Sequence, residues 1–269
     1  MLSVTRRHQQ LREGLMQCDL AAESHSAAIP SIFACPHQAN GSRGNGAMAL
    51  PLIPADLQVP YYLNAHYWWA YIHPRAVQLF ERQWLVNLIL WGNYARLRDA
   101  VLDEMGDSLP GRTLQVACVY GDLTTRLGAR VAEGGRMDVV DVLPIQLRNL
   151  RQKLPRNTAV RLLAMDSASL NLPDASYDRA LIFFLLHEQP RHYRERTLSE
   201  LFRVVKPGGK IIVVDYALPR SWHPLRYIWR PLLAGLEPFA LDLWRDEIAK
   251  WLPRIGARCL RKTTFFGGL

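Results

Sequence analysis

From residue 112 onward, short apolar runs alternate with longer stretches in which apolar positions recur every three or four residues. The runs at 114–119, 137–142, 160–165, 179–186 and 210–214 have strand length and strand composition. Between them, 123–132, 144–154 and 191–205 carry the helical period. The second of these opens with Pro144 in its first turn, and the third is stopped by Lys206-Pro207-Gly208-Gly209. Strands alternating with helices of this size predict a parallel sheet. The tail 256–266 predicts a closing antiparallel hairpin.

Two further stretches have a different texture. Residues 51–106 crowd tyrosine and tryptophan between Tyr61 and Tyr71. Val77, Phe80, Trp84, Leu88, Trp91 and Ala95 then follow at steps of three or four. That spacing predicts an amphipathic helix with its apolar face on the core, or a lid over a large apolar ligand. Residues 218–252 are again aromatic and apolar, broken by prolines and interspersed with arginines, and predict an insertion at the carboxyl end of the sheet. Residues 1–50 show no sustained period and predict a poorly ordered extension. The expected division is 1–50, a helical lid and substrate segment at 51–106, and an α/β domain at 107–269.

Composition sharpens this only in part. The chain has 269 residues, 49% of them hydrophobic, and a formal net charge of +9. Its length suits one α/β domain with additions, and its charge suits nucleic acid or an anionic membrane surface without choosing between them. Four cysteines without paired spacing predict neither a disulfide framework nor a zinc site, and so a reducing, cytoplasmic setting. No apolar h-region follows the first arginines, and no apolar run approaches the ~20 residues that span a bilayer.

The candidate chemistry gathers at the carboxyl ends of the predicted strands, where open α/β sheets bind ligands. Residues 112–124, RTLQVACVYGDLT, run from strand through a tight turn into a helix, as a nucleotide-cofactor turn does. Gly121 permits close approach of the backbone to a ligand. Asp141 ends the second strand, where a carboxylate accepts hydrogen bonds from ribose hydroxyls. Asp166 and the Ser167 backbone follow the third strand and suit an adenine. His187 and Glu188 follow the fourth strand, at the expected substrate cleft. His187 is a candidate general acid or base, and the pair are candidate metal ligands. Tyr62 is a candidate for ordering the substrate ring.

With these motifs in order, residues 112–215 resemble the class I S-adenosylmethionine-dependent methyltransferases of quinone biosynthesis. The segments PYYLNAHYWWAYIHPRAVQLFERQWLVNLILWGNY, QVACVYGDLTTRL, FFLLHEQP and HPLRYIWRPLLAGLEPFALDLW resemble, more narrowly, the rhodoquinone-biosynthesis family RquA. The resemblance implies a Rossmann-like seven-stranded sheet with an aromatic helical segment before it and an apolar insertion ahead of the last strands. It further implies conversion of ubiquinone to rhodoquinone, in which a ring methoxy group gives way to an amino group. S-adenosylmethionine would be the amino donor, manganese the metal, and the inner membrane surface a partner. Relatives carry an acid at the position of Gln115 and glycines at those of Ala117 and Val119. A neutral Gln115 would lower the pKa of the cofactor's ammonium, and the two added side chains would tilt its amino-acid end toward the substrate. Two other readings compete: ordinary methyl transfer to a quinone or phenolic lipid, and a non-catalytic membrane scaffold. Nucleic-acid methylation is disfavoured, because no target-base motif accompanies the charge.

Overall fold

Side-chain alternation along the strands decides the layering. In the computed structural model, which describes residues 16–20, 54, 57–219, 221–237, 239–245, 248 and 257–265, the chain order begins with β1 (Met16–Leu20), α1 (Tyr61–His66) and a π-helical turn, Trp68–Ile72. Helices α2 (Pro74–Phe80), α3 (Gln83–Ile89) and α4 (Tyr94–Met105) follow. Next come β2 (Arg112–Val116), α5 (Leu123–Ala129), β3 (Arg136–Asp141), α6 (Pro144–Lys153), β4 (Val160–Ala164) and β5 (Tyr177–Phe183). A 3-10 turn (Leu186–Glu188), α7 (Arg191–Val204), β6 (Val205–Val214), α8 (Leu225–Leu236), α9 (Ala240–Arg245) and β7 (Ala257–Lys262) complete it.

The sheet order is β4-β3-β2-β5-β6-β1-β7. Strands β2 to β6 run parallel. Residues one apart in sequence therefore face opposite layers. Ala180 and Ile182 of β5 pack with Leu198, Leu201 and Phe202 of α7, while Leu181 and Phe183 pack with α4, α5 and α6. Ile211 and Val213 of β6 divide from Ile212 and Val214 in the same way. Both faces are buried, which is why these strands read as continuous apolar runs.

Of the seven strands in the sheet, five form the parallel core. The two remaining strands lie at one edge, β1 antiparallel to β6 and β7 antiparallel to β1. Strand β1 comes from the segment expected to be poorly ordered; the rest of residues 1–50 lies outside the described residues. Among the described residues the tail supplies one strand, β7, which pairs with β1. The Lys206–Gly209 turn is absorbed into β6, which begins at Val205: Val205 pairs with Tyr177, a register shift follows, and Arg179 then faces Lys210.

The lid segment departs further. The expected single helix is three, α2, α3 and α4, separated by an extended Arg82 and by Trp91 and Gly92 at positive φ. Its apolar stripe does not all turn to the core: Trp84, Leu88 and Trp91 face solvent. The segment is seated instead through Tyr62, Leu63 and Tyr67, which pack with Leu143 at the head of α6 and with Tyr193 and Phe239.

Candidate active site

The ends of β2, β3, β4 and β5 open into one cavity of about 330 Å³. The turn after β2 supplies Ala117, Val119 and Tyr120; β3 and the loop after β4 supply Asp141, Asp166 and Ser167. The loop after β5 supplies His187 and Glu188, and the lid closes the space with Tyr62, Tyr71 and one side of α3. Eight expected positions, Tyr62, Ala117, Val119, Asp141, Asp166, Ser167, His187 and Glu188, thus meet around one volume. Gln115 and Gly121 do not line it.

Asp141 shapes the turn as well as facing the cavity. Its Oδ2 accepts the Cys118 N–H at 2.7 Å and its Oδ1 the Leu143 N–H at 2.8 Å. Burial pushes its carboxyl up to about 6, against the pull of those backbone donors. Asp141 also lines the cavity, where incoming hydroxyls would add to these donors. Asp166 Oδ1 accepts the Ala168 N–H, and the Ser167 hydroxyl lies 3.0 Å from Thr197 Oγ1 and accepts from Gln189 Nε2.

The turn keeps a glycine-like backbone without its glycines. Ala117 sits at φ +70°, a conformation costing an alanine about 1–2 kcal/mol. Gln115 lies fully buried beneath it and donates from Nε2 to Ala117 O and Thr124 Oγ1, at 3.0 and 2.9 Å. Its Oε1 is buried with no hydrogen-bond partner. Gly121, at φ +84°, makes room for Tyr94, not directly for a ligand: a Cβ there would stand 2.3 Å from the tyrosine oxygen. That hydroxyl in turn accepts the Asp122 N–H at 2.9 Å.

The lid is fastened to this same turn. Glu81, at the end of α2, accepts the Gly121 N–H at 3.1 Å and pairs with Lys153 at 2.6 Å, while Asn149 donates to its other oxygen. Lys153 also donates to Gly121 O at 3.0 Å. Gln146 donates to Tyr120 Oη and to Tyr71 O, and the Tyr71 and Tyr120 rings stack.

On the opposite wall, His187 Nδ1 stands 2.8 Å from Asp215 Oδ1 at the end of β6. Burial alone would push the imidazole down. The Asp215 carboxylate outweighs it and lifts the ring to about 9. Glu188 accepts a short hydrogen bond from Tyr71 Oη. Burial, with help from nearby Glu237 and against the pull of His187, pushes its carboxyl up to about 8. Arg194 is fully buried and holds this loop through Leu186 O and Gln189 O, and ties it to Phe239 O. The wall therefore holds an imidazole drawn toward its charged form beside an acid drawn toward its neutral form. Such a pair donates hydrogen bonds to an oxygen acquiring negative charge.

Asp215, Tyr71, Glu237 and Arg194 were given no role by the sequence. Asp215 had a usable signal, an acid ending a parallel strand at the ligand-binding edge. The other three had none.

The described side chains do not fit the implied metal. No group of three His, Cys, Asp or Glu side chains among them is placed to hold an ion. His187 Nε2 and Glu188 Oε1 are 3.8 Å apart, and the remaining imidazole nitrogen is committed to Asp215. A nucleoside cofactor does fit, given the acids Asp141 and Asp166 that line the cavity at the ends of β3 and β4.

The sequence pattern of the ubiE/COQ5 methyltransferase family matches residues 81–238, more than half of the chain. The chain belongs to this family. It is thus a class I methyltransferase-fold protein of an S-adenosylmethionine-dependent enzyme group. Within the ubiE/COQ5 family's reach, a demethylmenaquinone methyltransferase of Thermus thermophilus is 32% identical over 136 residues, 50% of this chain and 60% of that protein. The ubiquinone/menaquinone biosynthesis C-methyltransferase UbiE of Cronobacter sakazakii is 26% identical, over 63% of this chain and 62% of its own length. The matched region thus spans about three fifths of these two relatives. A solved S-adenosylmethionine-dependent methyltransferase of Aquifex aeolicus covers 62% of this chain at 22% identity, with a TM-score of 0.43, and is itself 87% covered.

Proposed function

We propose that this chain is an S-adenosylmethionine-using enzyme that transfers a group to the ring of a lipid quinone or its quinol. The observation carrying this reading is the shared cavity. One wall holds the cofactor-type acids Asp141 and Asp166, the facing wall holds the His187–Asp215 pair and Glu188, and the remainder is lined mainly by apolar lid residues. When bound, S-adenosylmethionine supplies an electrophilic methyl group and a nucleophilic α-amino group. Asp141 would hold the ribose and Asp166 the base. The His187 imidazolium would hold a ring oxygen, Glu188 would share its proton with that oxygen, and Tyr62 and Tyr71 would flank the ring.

The comparisons support methyl transfer to a ring carbon. In that reaction the ring gains the methyl group, loses a proton, and S-adenosylhomocysteine is released. Having given its proton to the ring oxygen, Glu188 would be the carboxylate that takes the proton from the ring carbon.

A second reading is favoured by one specific observation, the buried neutral Gln115 under the turn. With an amide where relatives carry an acid, a nearby ammonium loses an opposing charge and more readily becomes a free amine. Replacement of a ring methoxy group by an amino group would use that amine: it attacks ubiquinone and methanol leaves, the adduct passes two electrons to the ring to become a quinol imine, and water hydrolyses the imine, breaking the Cα–N bond to give an aminoquinol and the cofactor's 2-oxo acid. One experiment separates the two. The purified protein is incubated with S-adenosylmethionine and either ubiquinone or its C-demethylated quinol precursor, and products are read by mass. A methylated quinol with equimolar S-adenosylhomocysteine supports the first reading; an amino-for-methoxy exchange supports the second. Neither product from either substrate overturns the proposal.

A further inference from the structure

Helix α3 is apolar on both sides. Val86, Ile89 and the adjoining Leu90 line the cavity, whereas Trp84 and Leu88 are 59% and 64% exposed. None of its residues is buried. A helix apolar all round is at home only where both faces are covered. Helix α8 repeats the arrangement: Leu233 faces the cavity, and Tyr227 and Ile228 on its other side are 70% and 60% exposed. Among the described residues, every exposed large apolar side chain lies between Tyr61 and Trp91 or between Leu218 and Ile228; the α/β body contributes none.

The charge on these two stretches has one sign. Residues 60–93 contain a single acid, Glu81, which is engaged by Lys153 and the Gly121 N–H. Residues 216–236 contain no acid at all. Arg75, Arg82 and Arg230 on the same stretches are exposed. A covering protein surface would be expected to leave mixed charge at its rim. Indole and phenol rings set among arginines, with no free acid, match the headgroup region of an anionic bilayer. No described helix is long and apolar enough to cross a membrane, so the contact would be made by these faces lying in the interface.

We propose that the outer faces of α3 and α8 are a docking surface for an anionic lipid bilayer, with Trp84, Leu88, Tyr227 and Ile228 entering the interface. The cavity would then be separated from the bilayer by the thickness of one helix. This goes beyond the proposed reaction and does not depend on which group is transferred.

The test is co-sedimentation of the whole protein with vesicles of phosphatidylcholine, with and without phosphatidylglycerol, over a salt series. Expected is binding that strengthens with the anionic lipid and weakens with salt. The double variant W84E/L88E should lower the partition coefficient about tenfold or more, with an unchanged thermal melt, since both side chains already face solvent. R75Q/R82Q should reduce the preference for anionic lipid and leave the residual apolar binding. Absence of vesicle binding overturns the proposal, as does binding that W84E/L88E leaves unchanged. A stable dimer that W84E/L88E dissociates would show that a second copy covers this face, and overturns it too.

Discussion

His187 Nδ1 lies 2.8 Å from Asp215 Oδ1, and the other oxygen of the same carboxylate accepts the backbone N–H groups of Leu186 and His187 at 2.7 and 3.2 Å. One acid thus fixes the ring and the turn that carries it. Asp215→Asn keeps an acceptor for the backbone but removes the charge that lifts the imidazole to about 9. If the imidazolium acts on a ring oxygen, kcat/KM falls as pH rises through about 9 in the native enzyme. In the variant the fall comes at a lower pH, and the rate declines by about 10- to 100-fold. A pH–rate profile of both proteins checks this; an unmoved alkaline limb counts against the role of His187.

Glu188 bears on stability as well. An acid whose folded pKa is raised, here from 4.5 to about 8, binds its proton more tightly when folded. Stability is fully present below the ordinary value and is lost as pH rises through about 8. Glu188→Gln removes that loss while keeping an oxygen for the Tyr71 hydroxyl. Thermal melts should coincide more closely near pH 5, and the variant should melt higher than the native protein near pH 9.

Gln115 donates from Nε2 to a carbonyl and a hydroxyl in a fully buried site. A carboxylate there has no proton to donate and would face the Ala117 carbonyl oxygen. Gln115→Glu is expected to cost about 2–4 kcal/mol, read from urea denaturation. Under the amino-transfer reading it also suppresses that product disproportionately to its effect on cofactor affinity.

Gly121→Ala meets two obstacles, a positive φ and a Tyr94 oxygen 2.3 Å from the new Cβ. Displacing Tyr94 releases the Asp122 and Leu123 N–H groups that its hydroxyl accepts. The expected loss is about 2–4 kcal/mol, with weaker binding of S-adenosylhomocysteine by calorimetry. Ala117→Gly acts oppositely, since the strain it relieves exceeds the unfolded-chain entropy it adds. A gain of about 0.5 kcal/mol is expected.

The parallel core was legible because burial on both faces leaves a plain mark: apolar runs that end in an acid or a turn. Asp141 and Asp166 could be placed for that reason, by order and spacing alone. The lid was not legible in the same way. A three-four period at Trp84, Leu88 and Trp91 shows that a side is apolar, not what it faces, and here it faces away from the core. The pairing of His187 with Asp215 joins the ends of two neighbouring strands 28 residues apart in sequence, a contact that only the sheet order creates. Gln115 drew notice as a missing acid, but its bonds to Ala117 and Thr124 mark it as a brace for the turn as well.

The Glu81–Lys153 ion pair ties the end of α2 to the Gly121 peptide. Anything that loosens the turn loosens the cover over the cavity, and anything that lifts the cover strips the turn of a brace. The two ligands would consequently be thermodynamically linked without touching at this point: occupancy of one site that favours the fastened state raises affinity at the other by the same factor. Saturation curves for either substrate would then depend on the concentration of its partner, and breaking the ion pair would weaken that dependence.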